Sequence, residues 1–267
     1  MKAAISRIAA CVLAATLPLM AMAADSDEPP PPVRSPVISV SEEPLPRAGG
    51  VMVFGATGRV GQEVIKLLVE KHEKVTGVVR PGADTESVKA MGAEVVVADE
   101  LDPASLKEAY TSAPFRAAIA SVGGNMVDYR IDAEGVRNIV EATKAAGVPR
   151  LIVTTAIGAG DSADAVPLYV RWYVQWRLAG YYAAKTVAEG HIARSDIDYT
   201  IVRPGFLLDK VKPGAVSLVS EHAAYSPISR ADLAKLLVGI LEDKSSYRKI
   251  LTAIDAKRAT LWDLLIY

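Results

Sequence analysis

The chain predicts an α/β protein with a doubly wound parallel sheet, built as a single domain with a short C-terminal region. Three observations carry this. Short β-branched runs alternate with helix-length segments from Val51 onward, the runs are apolar throughout instead of every second residue, and a glycine-rich turn joins the first run to the first helical pattern. Continuous apolar runs belong to strands covered on both faces, and crossovers of helix length make neighbouring strands parallel.

Taken in order, Lys2 and Arg7 give the N-terminus a positive start, Ile8 to Leu19 is apolar, and Ala21-Met22-Ala23 supplies small residues. Together these are the parts of a secretory signal peptide over residues 1–23, cleaved after Ala23. The other reading is an uncleaved membrane anchor; against it stand Pro18 and a run shorter than the roughly 20 residues that span a bilayer. Residues 24–49 hold Pro29 to Pro32, Pro36, Pro44 and Pro46 among acidic residues and serines, a composition that stays extended as a linker. Residues 50–267 then form the folded domain. Strands are expected at Val51–Phe54, Val75–Val79, Glu94–Ala98, Ala117–Val122, Leu151–Thr155 and Tyr199–Val202. Helices are expected at Val60–His72, Thr85–Met91, Pro103–Ser112, Asp128–Ala146, Tyr169–Ser195 and Arg230–Glu242, the last amphipathic, with Pro103 as a start signal and Gly147 as a stop.

Composition narrows the function. The 267 residues are 51% hydrophobic, enough for a sizeable core, which excludes wholesale disorder. Thirty basic and 31 acidic residues nearly cancel, giving no support to nucleic-acid binding. Cys11, the single cysteine, lies in the leader, so the remaining chain has neither disulfide nor thiol nucleophile, and His72, His191 and His222 are too scattered to predict a metal site.

The turn Gly55-Ala56-Thr57-Gly58-Arg59-Val60-Gly61 stands between the first strand and the first helix. Gly55 permits a tight turn, Gly58 lets the backbone approach a pyrophosphate, and Gly61 lets helix and strand pack closely. The helix N-terminus adds free N–H groups and a partial positive charge. Cofactor choice is read at the end of the second strand, where an acidic side chain bonds a ribose 2′-hydroxyl and a basic one accepts a 2′-phosphate. That position is Arg80, and with Arg59 two guanidinium groups could flank the phosphate, favouring NADP(H).

These residues, with Ala98-Asp99-Glu100-Leu101-Asp102-Pro103, Lys185-Thr186-Val187-Ala188-Glu189, Asp198-Tyr199-Thr200-Ile201-Val202-Arg203-Pro204-Gly205 and Ile228-Ser229-Arg230-Ala231-Asp232-Leu233-Ala234, resemble the atypical short-chain dehydrogenases/reductases. More narrowly they resemble the NAD(P)H-binding, NmrA-like group, over roughly residues 50 to 255. The resemblance implies a Rossmann fold, NADP(H) preference and a site at the carboxyl ends of the strands. It also implies that Asp99 meets the adenine edge and that Gly123 and Gly124 lie near the nicotinamide. Relatives of this kind include reductases, redox sensors and assembly factors, so activity is not settled by the family.

Tyr181 stands four residues before Lys185, one helical turn away, so that the ammonium could lower the phenol's pKa for proton exchange. Thr154 and Thr155 end the fifth strand, and Thr155 is the candidate hydroxyl that orients a carbonyl. Tyr182 is a second candidate, and a site without a catalytic tyrosine is a third reading, because Tyr is common in this stretch. Lys185 either holds the cofactor ribose or pairs with Glu189 on the surface. Tyr169, Trp172, Tyr173, Trp176 and Gly180 share one helical face, readable as core, as a wall for a planar substrate, or as a contact with a membrane surface or protein through Tyr169, Trp172 and Trp176. The expected substrate cleft is shallow, formed by Thr154–Gly160, the aromatic segment and Phe206–Val216. The expectation is thus an NADPH-dependent reductase of a small carbonyl, quinone or flavin-like acceptor, the alternative a non-catalytic NADP(H)-binding sensor or assembly factor. Export to the periplasm or beyond would place it where free NADPH is scarce.

Overall fold

The computed structural model describes residues 49–123, 128–165, 176–209, 214–219 and 226–256. The leader, most of the linker, Gly124 and the aromatic residues Tyr169, Trp172 and Tyr173 lie outside these.

Eight strands form one sheet: β1 (Gly50–Phe54), β2 (Val75–Val79), β3 (Glu94–Val97), β4 (Phe115–Ala120), β5 (Arg150–Thr154), β6 (Asp198–Pro204), β8 (Val216–Val219) and β10 (Lys249–Asp255), with the pair β7 (Leu207–Leu208) and β9 (Ile228–Ser229) apart from it. The order is β3-β2-β1-β4-β5-β6-β10-β8, parallel at every pairing except β10 with β8. The chain therefore winds outward from β1 in one direction and then, through β4, in the other, which leaves a crevice at the carboxyl ends of β1 and β4.

Alternation along β1 shows why both faces need cover. Val51 and Val53 join the apolar layer that includes Val60, Val64 and Leu68 of α1 (Arg59–Glu70) and Leu233 and Leu237 of α6 (Arg230–Gly239). Met52 and Phe54 face the other layer, with Leu106 of α3 (Pro103–Ala109), Ile139 of α4 (Val136–Ala145) and Ala188 and Ile192 of α5 (Ala179–Ala193). A short α2 (Glu86–Ala90) links β2 to β3. Asp102 caps α3 by accepting from the Ala104 N–H at 3.0 Å with Pro103 behind it, as the start signal predicts, and Gly147 follows α4 at φ +68°.

Three departures from the expected elements stand out. The helix expected from Asp128 opens instead as one wide turn, Ile131–Gly135, with i→i+5 geometry before α4 begins. Helix α6 is buried at Leu233, Ala234, Leu236, Leu237 and Val238, on more than the single stripe expected of an amphipathic helix. Strands β10 and β8 lengthen the sheet beyond the six expected strands, and β8 closes it as an antiparallel edge. Arg150, buried at the start of β5, donates to the carbonyls of Ile240 (2.9 Å) and Leu241 (3.2 Å) and so satisfies the end of α6; burial lowers its pKa to about 10.

Candidate dinucleotide site

The glycine turn does what its spacing predicts at Gly55 and Gly61. Gly55 has φ +75°, and a β-carbon there would strike the Ser121 carbonyl on β4's exit. A β-carbon on Gly61 would collide with the carbonyl oxygen of Gly55, so helix and turn touch backbone to backbone. The N–H of Gly58 donates to the Gly55 carbonyl at 2.9 Å, and Gly58 caps α1 without a side-chain hydrogen bond. The first turn of α1 carries no acidic residue, leaving its positive end open to an anion.

Two cavities flank this turn. One, about 130 Å³, is lined by Gly55, Thr57, Gly58, Val78, Arg80, Glu100, Ser121, Val122, Gly123 and Ile131, on the β2 and β3 side. The other, about 210 Å³, reaches across the ends of β4 and β5 and is bordered by Gly58, Val60, Thr154, Thr155, Tyr181 and Lys185. Gly58, Ser121, Val122 and Gly123 line both. An extended ligand of two halves joined by a pyrophosphate fits such a pair: one half over β2 and β3, the joint at the α1 N-terminus, the other half over β4 and β5.

Arg80 and Arg59 do not meet. Arg80 lines the first cavity, whereas Arg59 is ion-paired with Asp209, which also accepts from Arg230 at 2.7 Å. Arg59 borders the second cavity and also a third space of about 440 Å³ with Gln62, Leu208, Ser229 and Arg230. Of the two arginines expected at the phosphate, Arg80 borders the cavity on the β2 side, and Arg59 borders the other while paired with the carboxylate of Asp209. Asp99, expected at the adenine edge, accepts from the Leu101 N–H at 2.9 Å, and its neighbour Glu100 lines the cavity.

On the β4 and β5 side, Lys185 is only 2% exposed. Its Nζ lies 2.9 Å from Oδ1 of Asp132, a fully buried residue, and 3.0 Å from the Val122 carbonyl. The surface pair with Glu189 is not formed, and the ammonium is spent on a partner from the wide turn. Glu189 instead binds Arg203 through two contacts, 2.9 and 2.6 Å, and accepts from Thr155 Oγ1 at 2.6 Å. Thr155 therefore borders the cavity with its proton already committed. Thr154 donates to the Ala120 carbonyl at 3.3 Å and meets Ser121 Oγ at 3.2 Å.

Tyr181 lies at the same cavity, its ring 6.2 Å from that of Tyr129, with Lys185 Nζ 5.6 Å from the ring centre. Gly180 makes room for Tyr129, whose ring a β-carbon would strike. The expected lowering of the Tyr181 phenol is reversed. Burial pushes its pKa up, and the Asp132 charge adds to the rise. Tyr182 is likewise pushed up to about 12 by burial, then by Tyr181. Ser121, which lines both cavities, was not signalled by any motif, and Glu100, which lines one, stands in a quoted motif that gave it no role. Trp176, the described member of the aromatic face, is 76% exposed, which removes it from the core.

Comparison with known proteins agrees with this geometry. A family model described as NAD(P)H-binding matches residues 55–244. An uncharacterised sugar epimerase of Bacillus subtilis is 29% identical over 203 residues, covering 73% of this chain and 89% of its own. Among solved structures, ChuY, an anaerobilin reductase of Escherichia coli O157:H7, superposes with a TM-score of 0.68 at 23% identity, covering 78% of this chain and 97% of that one. A short-chain dehydrogenase/reductase of Veillonella parvula, in complex with NADP, does so with a TM-score of 0.67 at 18% identity, over 79% and 97%. At these identities the two structures share the fold with this chain.

Proposed function

We propose, for a chain that belongs to the NAD(P)H-binding family of atypical short-chain dehydrogenases/reductases, that it is an NADPH-dependent reductase with a small carbonyl, quinone or flavin-like acceptor. The observation that carries the reading is the cavity at the ends of β4 and β5, bordered by Tyr181, Ser121 and Thr154 and sharing its inner wall with the cavity beside Arg80. The glycine turn, with its uncapped helix end and an orphaned buried oxygen on Glu100, fits a dinucleotide. When bound, the reduced nicotinamide supplies a hydride. Arg80 favours the 2′-phosphate of NADP(H) over NAD(H).

The protein's own residues then supply the rest. Tyr181, a phenol held neutral by burial, would give a proton to the acceptor oxygen, while the Ser121 hydroxyl, at the junction of the cavities, would orient that oxygen in place of Thr155. Lys185 would act by holding the Val122 carbonyl and thus the cavity wall, through its fixed place beside Asp132.

A second reading, a non-catalytic NADP(H)-binding sensor or assembly factor, is favoured by the engagement of Lys185 and Thr155 with Asp132 and Glu189 and by the exposure of Trp176 as a contact for a protein or membrane surface. Among the described residues no helix is long and apolar enough to cross a membrane. The leader and linker support an exported, tethered domain, which would need to hold its cofactor tightly.

The test is titration of the full chain with NADPH and NADH by tryptophan fluorescence, followed by NADPH oxidation with quinones and small carbonyls. Turnover that falls by about 100-fold or more in Tyr181→Phe at unchanged NADPH affinity supports the reductase. Binding without turnover favours the sensor, and absence of binding rejects both.

A further inference from the structure

We propose that the acceptor carries a carboxylate and that Arg59 and Arg230 hold this anionic group in the place taken by Asp209. The proposal deepens the reductase reading and rests on it. Each guanidinium takes one oxygen of the Asp209 carboxylate: Arg59 binds Oδ2, and Arg230 binds Oδ1 at 2.7 Å. The side chains of Arg59 and Asp209 are 68% and 44% exposed, so a ligand can reach both, and an ion pair this open is weakly held. Arg230 is 16% exposed and has a second bond, from Nη1 to the Leu207 carbonyl at 3.1 Å. One arginine is thus braced by the β7 backbone, and the other is open to solvent.

Position makes this pair a subsite for the acceptor. Arg59 and Arg230 line both the cavity at the ends of β4 and β5 and the space of about 440 Å³ beside Asp209. An acceptor with its reacting oxygen at Tyr181, and a tail that leaves the smaller cavity for the larger, passes these two guanidinium groups. Each is also the first residue of its helix, α1 and α6, so two partial positive helix ends add to two full charges. The other acidic groups nearby are engaged elsewhere. Glu63 pairs with Lys66 at 2.9 Å, and Asp232 accepts from Ser229 Oγ at 2.7 Å and pairs with Lys235 at 3.3 Å. Asp209 balances the two arginines, and it does so with the functional group assigned here to the ligand. Guanidinium matches carboxylate in shape as well as charge. An incoming carboxylate therefore exchanges like for like, releasing Asp209 to water and remaking the ion pairs with the acceptor. A neutral acceptor leaves Asp209 in place and gains nothing from the arginines.

The probes are para-formylbenzoate and its uncharged methyl ester, titrated by calorimetry into the full chain saturated with NADP+, which has no hydride to give. NADPH oxidation with each probe is followed separately. The acid should bind at least about 10-fold more tightly than the ester, and Arg230→Gln should erase most of that preference while NADP+ affinity stays within about 2-fold. Asp209→Asn removes the resident competitor and should tighten the acid by about 3- to 10-fold, with no matching change for the ester. A merely structural bridge predicts the opposite, since its loss would loosen both probes. Thermal unfolding verifies each variant's fold, and Asp209→Asn keeps the test decisive if Arg230→Gln is unstable. Equal binding of acid and ester, binding of neither, or an Asp209→Asn protein that tightens NADP+ instead of the acid overturns the assignment. An acid preference without NADPH oxidation by either probe leaves the arginine subsite standing and counts against the reductase reading; oxidation without the preference does the reverse.

Discussion

Replacing Asp132 by Asn would strip the partner from an ammonium that water cannot reach. Lys185 is 2% exposed and Asp132 is fully buried, with 2.9 Å between Nζ and Oδ1. At that distance and an effective dielectric of about 20 the attraction is roughly 6 kcal/mol, most of which offsets the cost of drying the two charges. Breaking the pair leaves that cost uncompensated, so the variant should lose about 3–5 kcal/mol of stability, or about 6–20 °C in Tm at about 2–4 °C per kcal/mol. The double variant Asp132→Asn, Lys185→Met removes both charges and should be more stable than the sum of the single changes predicts, by at least about 2 kcal/mol. Chemical denaturation of the four proteins measures this. A second readout is the Tyr181 phenol: without the Asp132 charge its ionisation should move to lower pH, as seen in ultraviolet tyrosinate titration against Tyr181→Phe. Additive single-variant losses, or an Asp132→Asn protein within about 0.5 kcal/mol of the wild type, would refute the reasoning.

Gly61→Ala forces a β-carbon onto the Gly55 carbonyl and should cost about 1–3 kcal/mol while abolishing cofactor-induced fluorescence quenching; normal quenching would show that the turn can yield. Arg80→Ala should weaken NADPH binding by about 10- to 100-fold and leave NADH binding unchanged, measurable by calorimetry. Stability should fall at alkaline pH. Burial raises the folded-state pKa values of Tyr110 and Tyr182 above the ordinary 10.0, Tyr182 to about 12, so both phenols favour the folded state while protonated. Their contribution is complete below about pH 10 and is lost as pH rises through the folded values, so native tyrosinate absorbance should lag and then appear together with unfolding.

The parts of the site that were legible in the sequence are those made by neighbours in the chain. Gly55, Gly58 and Gly61 announce their turn because a strand, a turn and a helix need them at that spacing, and the parallel pairing follows from the helix-length crossovers. Partners distant in the chain were not legible. Nothing local to Lys185 points to Asp132, because the wide turn that presents Asp132 has no signature in helical periodicity. Glu189 looks like the surface partner of Lys185 at one-turn spacing, yet Arg203, from β6, takes it. Nothing near Arg59 in the chain announces its ion pair with Asp209, which follows β7. Strands β8 and β10 both escaped notice, and their antiparallel pairing joins residues more than thirty positions apart that carry no turn signal linking them.

The reversal of strand order between β1 and β4 divides labour along the polypeptide. The turn, Arg80 and Glu100 come from the first half of the domain, whereas Tyr181, Lys185 and the rim around Asp209 and Arg230 come from the second. On the proposed function, mutations that retune the acceptor can therefore accumulate on one stretch of the gene without disturbing grip on the nucleotide. On the same reading, a chimaera joined after β4 would inherit cofactor preference from one parent and chemistry from the other.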